Sequence, residues 1–288
     1  EKNNWALDIR GSFTDEEEPR FLKDREGIIS RQRLLSARFG YRFSLENYSW
    51  LKASIRSRAF EFGNDYLYNL TESNTGEDVL GEIEFAVEHD TRTYKAWPDN
   101  AYLIRLIIGS GIGLNHSGTR YLKPELYTSA FYTPWSRFHI AGCVRGATYL
   151  GDIPPYERML LGRENKIRTA MLNVFEGRWR IQSTAELRTD ILPVEYYTFE
   201  TWDLIDPYTR NLRFGMSTTF FTDYGVVGGV DDLTPYSSSD STSGWDVAYG
   251  IGLILHIPYR DMIRIEAMRS ARFPSDGMLF RVRIGTFL

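Results

Sequence analysis

The 288-residue sequence is short of several things, and each shortage excludes a class of protein. It has one cysteine, Cys143, so an intrachain disulfide framework and a cysteine-rich metal site are excluded. It has no basic surplus: 34 Lys+Arg stand against 38 Asp+Glu, a net charge of -4, which excludes a general nucleic-acid footprint. No run approaches the roughly 18 apolar residues of a spanning helix. The longest clean stretch is about Tyr249 to Leu255. A helical membrane protein is thereby excluded, but a transmembrane β-barrel is not, because its signal is alternation. The chain opens at Glu1 without a basic or apolar leader, as expected if a signal peptide was removed or never existed. The four histidines, His89, His116, His139 and His256, lack metal-ligand spacing, and no Gly-x-Ser-x-Gly elbow is present. Gly109 to Gly113 follows a strand but precedes no helix, so a phosphate-loop reading fails. No metal, cofactor or catalytic residue is expected.

Period-two alternation is plentiful. Leu51, Ala53 and Ile55 oppose Lys52, Ser54 and Arg56; Ile181, Ala185 and Leu187 oppose Gln182, Thr184, Glu186 and Arg188. Trp245 through Ile257 carries an unbroken apolar face at every second position. Such patterns predict strands with one apolar and one polar face. About twelve are expected, near 5–13, 35–48, 50–62, 79–94, 101–113, 120–133, 136–149, 176–192, 211–227, 245–257, 260–271 and 277–288. Most reach the roughly 9–11 residues that cross a bilayer at a tilt.

The connections alternate too. Asn47 to Ser49, Thr133 to Trp135 and Pro258-Tyr259 are short, whereas 14–33, 63–77, 151–175 and 227–244 are long and polar. Short turns on one rim and long loops on the other is the outer-membrane barrel arrangement. The long connection 192–211 falls on the short-turn rim and breaks the pattern. A soluble sandwich or small barrel would bury the apolar face instead. Against it stand neighbouring polar faces of both charge signs and aromatics near strand ends: Tyr48, Trp50, Tyr94, Trp97, Tyr132, Trp135, Trp179, Trp245 and Tyr259. The expected fold is all-β: one transmembrane antiparallel β-barrel domain over 1–288. Its lumen is laced with ion pairs, among them Arg56, Arg145, Arg180, Arg188, Arg264, Arg281 and Arg283 facing Glu82, Glu84, Glu125, Glu186, Asp223 and Glu266.

From about Met159 to the end, the sequence resembles the BamA superfamily of outer-membrane assembly and translocation barrels. Leu161-Gly162-Arg163-Glu164-Asn165-Lys166-Ile167-Arg168 is similar to the family's loop motif, although Thr169 and Ala170 replace its Gly and aromatic. Ala185-Glu186-Leu187-Arg188 sits in the following strand, and Phe221-Thr222-Asp223-Tyr224-Gly225 resembles the Phe-x-Asp-x-Gly strand. Phe280, Val282, Ile284, Gly285, Phe287 and Leu288 resemble the closing strand, which serves the family as an insertion signal. Five strands follow the motif loop, as in the family, while about seven precede it, fewer than the roughly eleven usual there.

The resemblance implies that the loop, about 151–175, folds into the lumen, where Arg168 pairs with Asp223 beside an inward Glu186. It also implies a seam between the first strand (about 5–13) and the last (about 277–288), where client strands add. Periplasmic POTRA modules, which bind clients in the family, are not expected within 1–35, which is too short for one, so client capture would need a partner subunit or the chain is a fragment of a longer protein. The implied role is protein insertion or translocation in a bacterial outer membrane, with termini periplasmic, outer-membrane lipids including lipopolysaccharide around the barrel, and protein partners supplying client binding. A structural docking barrel and a small-solute pore remain the alternatives.

Overall fold

Side chains of alternating character favour extended strands, and twelve long ones form the wall: β1 (Trp5–Glu17), β2 (Ile28–Arg42), β3 (Asn47–Phe62), β4 (Glu77–Asp90), β5 (Ala101–Gly113), β6 (Arg120–Trp135), β7 (Phe138–Thr148), β8 (Trp179–Tyr197), β9 (Leu212–Gly228), β10 (Gly244–His256), β11 (Ile263–Ser270) and β12 (Leu279–Ile284). The computed structural model describes residues 4–17, 28–62, 65–66, 71–92, 100–161, 167–168, 175–198, 212–229, 244–257 and 262–284. Each strand pairs antiparallel with its sequence neighbour, so the order is a meander from β1 to β12. No ladder joins β1 to β12 among the described residues.

Alternation alone does not say which face lies inside. The structure places Glu186, Arg188 and Glu266 inward at 2%, 3% and 1% exposure, while Ile181, Phe220 and Ile251 point outward at 45%, 55% and 56%. An apolar band around the outside and buried charge within is the reverse of a water-soluble barrel. The protein is a transmembrane antiparallel β-barrel that crosses the membrane with strands.

Boundaries depart from expectation in two places. The turn between β2 and β3 is residues 43–46, earlier than expected. Ser44 Oγ accepts the Asn47 backbone N–H at 3.1 Å and closes it, so Asn47 and Tyr48 begin β3. Tyr48 and Trp50 therefore take the inward phase of β3 and leave the expected girdle. Trp50 is 9% exposed, beneath the Arg38 guanidinium at 4.3 Å. Tyr132, Trp135, Trp179 and Trp245 do face outward, while Tyr94, Trp97 and Tyr259 lie outside the described residues.

The long connection on the short-turn rim also acquires an explanation. β8 has 19 residues and β7 has 11. The β7 ladder stops at Thr189↔Phe138, but β8 continues against β9 to Tyr197↔Leu212 through two register shifts. The excess length forms a two-stranded ribbon beyond the rim.

Candidate functional site: a loop held in the lumen

After β7 the chain turns inward. Leu150–Asp152 pairs briefly with β6, a 3-10 turn follows at Pro155–Glu157, and Met159–Leu161 pairs with Phe175–Gly177. Met159, Leu161, Ile167 and Phe175 pack against Tyr121, Val227 and Ala248 on the inner wall. This apolar patch seats the returning chain, and Arg180 Nη1 adds a hydrogen bond to Leu160 O at 2.7 Å.

The patch delivers Arg168 to a cluster of charge. Its Nη2 donates to Glu186 Oε1 at 3.1 Å, and its backbone N–H donates to Asp223 Oδ2 at 3.2 Å. Its Nε stands 3.5 Å from Asp223 Oδ2 and 3.7 Å from Glu266 Oε1. Arg264 contacts Glu186 and lies 3.0 Å from Glu266. All five side chains are at most 1% exposed. Arg283, opposite Arg264 in the β11–β12 register, adds a third cation within electrostatic reach of Glu266. Charges so desolvated are stable only when paired, and guanidinium is the group suited to pairing them, because it stays charged and donates in a planar fork.

The strand opposite explains its own spacing. On β9, Phe221, Asp223 and Gly225 share the inward face. Phe221 lies under the Arg168 guanidinium, 3.7 Å from ring centroid to Cζ, a cation–π contact. Asp223 takes the Arg168 backbone and side chain. Gly225 leaves room for the loop: a Cβ there would come 2.6 Å from Leu161 Cδ1 and 3.1 Å from Ile167 Cγ1. Aromatic, acid and glycine at every second position thus stack against guanidinium, main chain and apolar side chains of one inserted segment.

The structure therefore brings Arg168, Glu186 and Asp223 together. Phe280, Val282 and Ile284 lie apart from them, on the outer face of β12 at 76%, 69% and 67% exposure. Gly285, Phe287 and Leu288 are outside the described residues, as are 162–166 of the loop motif. Sequence reasoning counted Arg264, Glu266 and Arg283 as inward charges but did not assign them to this cluster. A second group near the short-turn rim was also not anticipated: Arg188 and Arg213 flank His256 at 2.9 and 3.0 Å, and Asp190 joins Arg188, His139 and Ser217. These arrangements hold and orient.

A charged lumen occupied by a returning loop, inside a wall with an apolar exterior, defines an outer-membrane barrel of the loop-plugged class. The chain belongs to the Omp85 superfamily, whose domain matches residues 2–266. Two solved structures share the fold. BamA from Haemophilus ducreyi lacking POTRA domains 1–3 superposes with a TM-score of 0.61 at 12% identity, over 93% of this chain and 55% of that one. CdiB from Escherichia coli superposes with a TM-score of 0.62 at 12% identity, over 98% of this chain and 49% of that one. The chain thus spans about half the length of each. No curated protein matches it.

Proposed function

We propose that this barrel assists the insertion of proteins into the outer membrane, or their passage across it, together with partner proteins that supply client binding on the periplasmic side. The observation that carries the reading is the seat of Arg168 on Glu186, Asp223 and Phe221, which matches the way the family's loop is held. In this reading the loop latch keeps the β8–β11 wall rigid while the β1–β12 seam works. The edge strands suit that work: Leu7 and Ile9 on β1 are 70% and 67% exposed, and Phe280 on β12 is 76% exposed, against 46% for Ile104 and 40% for Leu106 within the wall. A free strand edge is a template for another chain, so client strands add there by main-chain pairing. The termini are periplasmic, the long loops face outward, and lipopolysaccharide and other outer-membrane lipids cover the apolar band.

A disulfide between cysteines placed on β1 and β12 tests this reading. Expected is loss of client assembly in the oxidised form and recovery on reduction. A locked barrel that supports assembly as well as wild type overturns it. Copurification of the locked form with a fixed set of subunits and no clients would instead identify a docking barrel.

A further inference from the structure

The inserted segment has contacts that the Arg168 cluster does not use. Tyr156, in the turn before the lumen hairpin, is 3% exposed and donates its hydroxyl to Asp78 Oδ2 at 2.7 Å. Asp78, on β4, is fully buried and also accepts the backbone N–H groups of Glu72 and Ser73 at 2.9 Å each. One carboxylate thus ties the inserted segment to the β3–β4 connection. Burial, and after it the Asp78 charge, push the Tyr156 phenol well above its usual range, so it stays protonated and remains the donor. Its ring packs on Phe60, with centroids 5.4 Å apart, and lies 5.1 Å from the Arg58 guanidinium. The next residue, Glu157, meets Arg56 Nη2 at 2.8 Å and Arg58 Nη1 at 3.8 Å.

This anchor belongs to β3 and β4, whereas Arg168 is held by β8, β9 and β11, across the lumen. A polar cavity of 230 Å³ lies beside the segment on the β3–β6 side, with Lys52, Glu84, Lys123 and Glu157 in its lining. Residues 156–161 therefore run across the interior, from Tyr156 on Asp78 of β4 to Leu160 on Arg180 of β8 and Leu161 beside Gly225 of β9.

We propose that Tyr156 and Glu157 are positioning residues of a second, independent latch, which together with Arg168 holds the loop as a bar across the lumen. The proposal rests on Arg168 being the loop latch of the reading above. Two tethered contacts support each other: when one opens, the other keeps its partner at high local concentration and the bar closes again. Neither latch alone then decides whether the lumen is shut.

The test uses the full chain in planar bilayers, comparing Tyr156→Phe with Glu157→Gln, Arg168→Ala, and all three combined. Each latch removed alone is expected to change conductance by about twofold or less, and the combination by about tenfold or more, a coupling far from additive. Hydrogen exchange is the second readout. Exchange over 153–161 rises in the Tyr156/Glu157 variant while β3 and β4 stay protected. A combined variant conducting like Arg168→Ala alone overturns the proposal, and so does unchanged exchange over 153–161. If the combined variant fails to fold, the exchange result on the milder pair decides. Neither readout needs a client, so failure of the seam-locking test and failure of this one are separate results.

Discussion

Arg168 is the residue on which the interior depends. Its guanidinium meets carboxylates from three strands, Glu186 on β8, Asp223 on β9 and Glu266 on β11. Removing one partner of a buried ion cluster leaves charge without compensation, at a cost of about 3–5 kcal/mol. Arg168→Ala is therefore expected to lower the denaturant midpoint of the folded barrel. Arg168→Lys should restore little, since an ammonium cannot fork between Glu186 and Asp223. Phe221→Leu removes only the cation–π contact, about 0.5–2 kcal/mol, and should shift the midpoint less. The order Ala, Lys, Leu in decreasing damage, read from urea titrations, checks the assignment. Equal midpoints for all three and wild type would make Arg168 a bystander.

At the scale of the strand, inward and outward positions carry opposite rules. Ile251 on β10 is 56% exposed in the middle of the strand. On a soluble protein Ile251→Lys would be nearly neutral. On a lipid-facing wall near the bilayer midplane it costs about 2–4 kcal/mol. Folding measurements in lipid vesicles are expected to show that loss, and a smaller one for Trp135→Lys at the rim. Twelve strands, and the division of each into an apolar and a polar face, were legible because period two survives in each strand without tertiary knowledge; which face lies inside was not fixed by that period. Arg168 with Asp223 was legible only through resemblance, since 55 residues separate them. Arg264, Glu266 and Arg283 join the cluster through register between strands, which no local pattern encodes. Tyr48 and Trp50 looked like interfacial aromatics until the turn at Ser44 set the phase of β3. The Tyr156–Asp78 bond spans 78 residues and had no signal at all.

For the whole molecule, the two ends of the sheet and the loop between its walls form one system. β8, β9 and β11 grip the loop by Arg168, and β12 lends Arg283 to the same charge cluster. The strand at the seam is thus tied to the latch by electrostatics as well as by its ladder to β11. Motion of β12 away from the wall would take the Arg283 charge away from Glu266. The seam is therefore expected to open more readily in Arg283→Ala, seen as faster disulfide formation with a probe peptide strand carrying one cysteine. In the function proposed above the barrel speeds the assembly of other membrane proteins. The full chain, reconstituted in lipid vesicles, is to be mixed with an unfolded outer-membrane barrel added outside, and the folding of that client timed. Client folding is expected to be faster than in empty vesicles, with the gain lost when β1 and β12 are cross-linked. Identical client kinetics in loaded and empty vesicles, with partner proteins present, would contradict it.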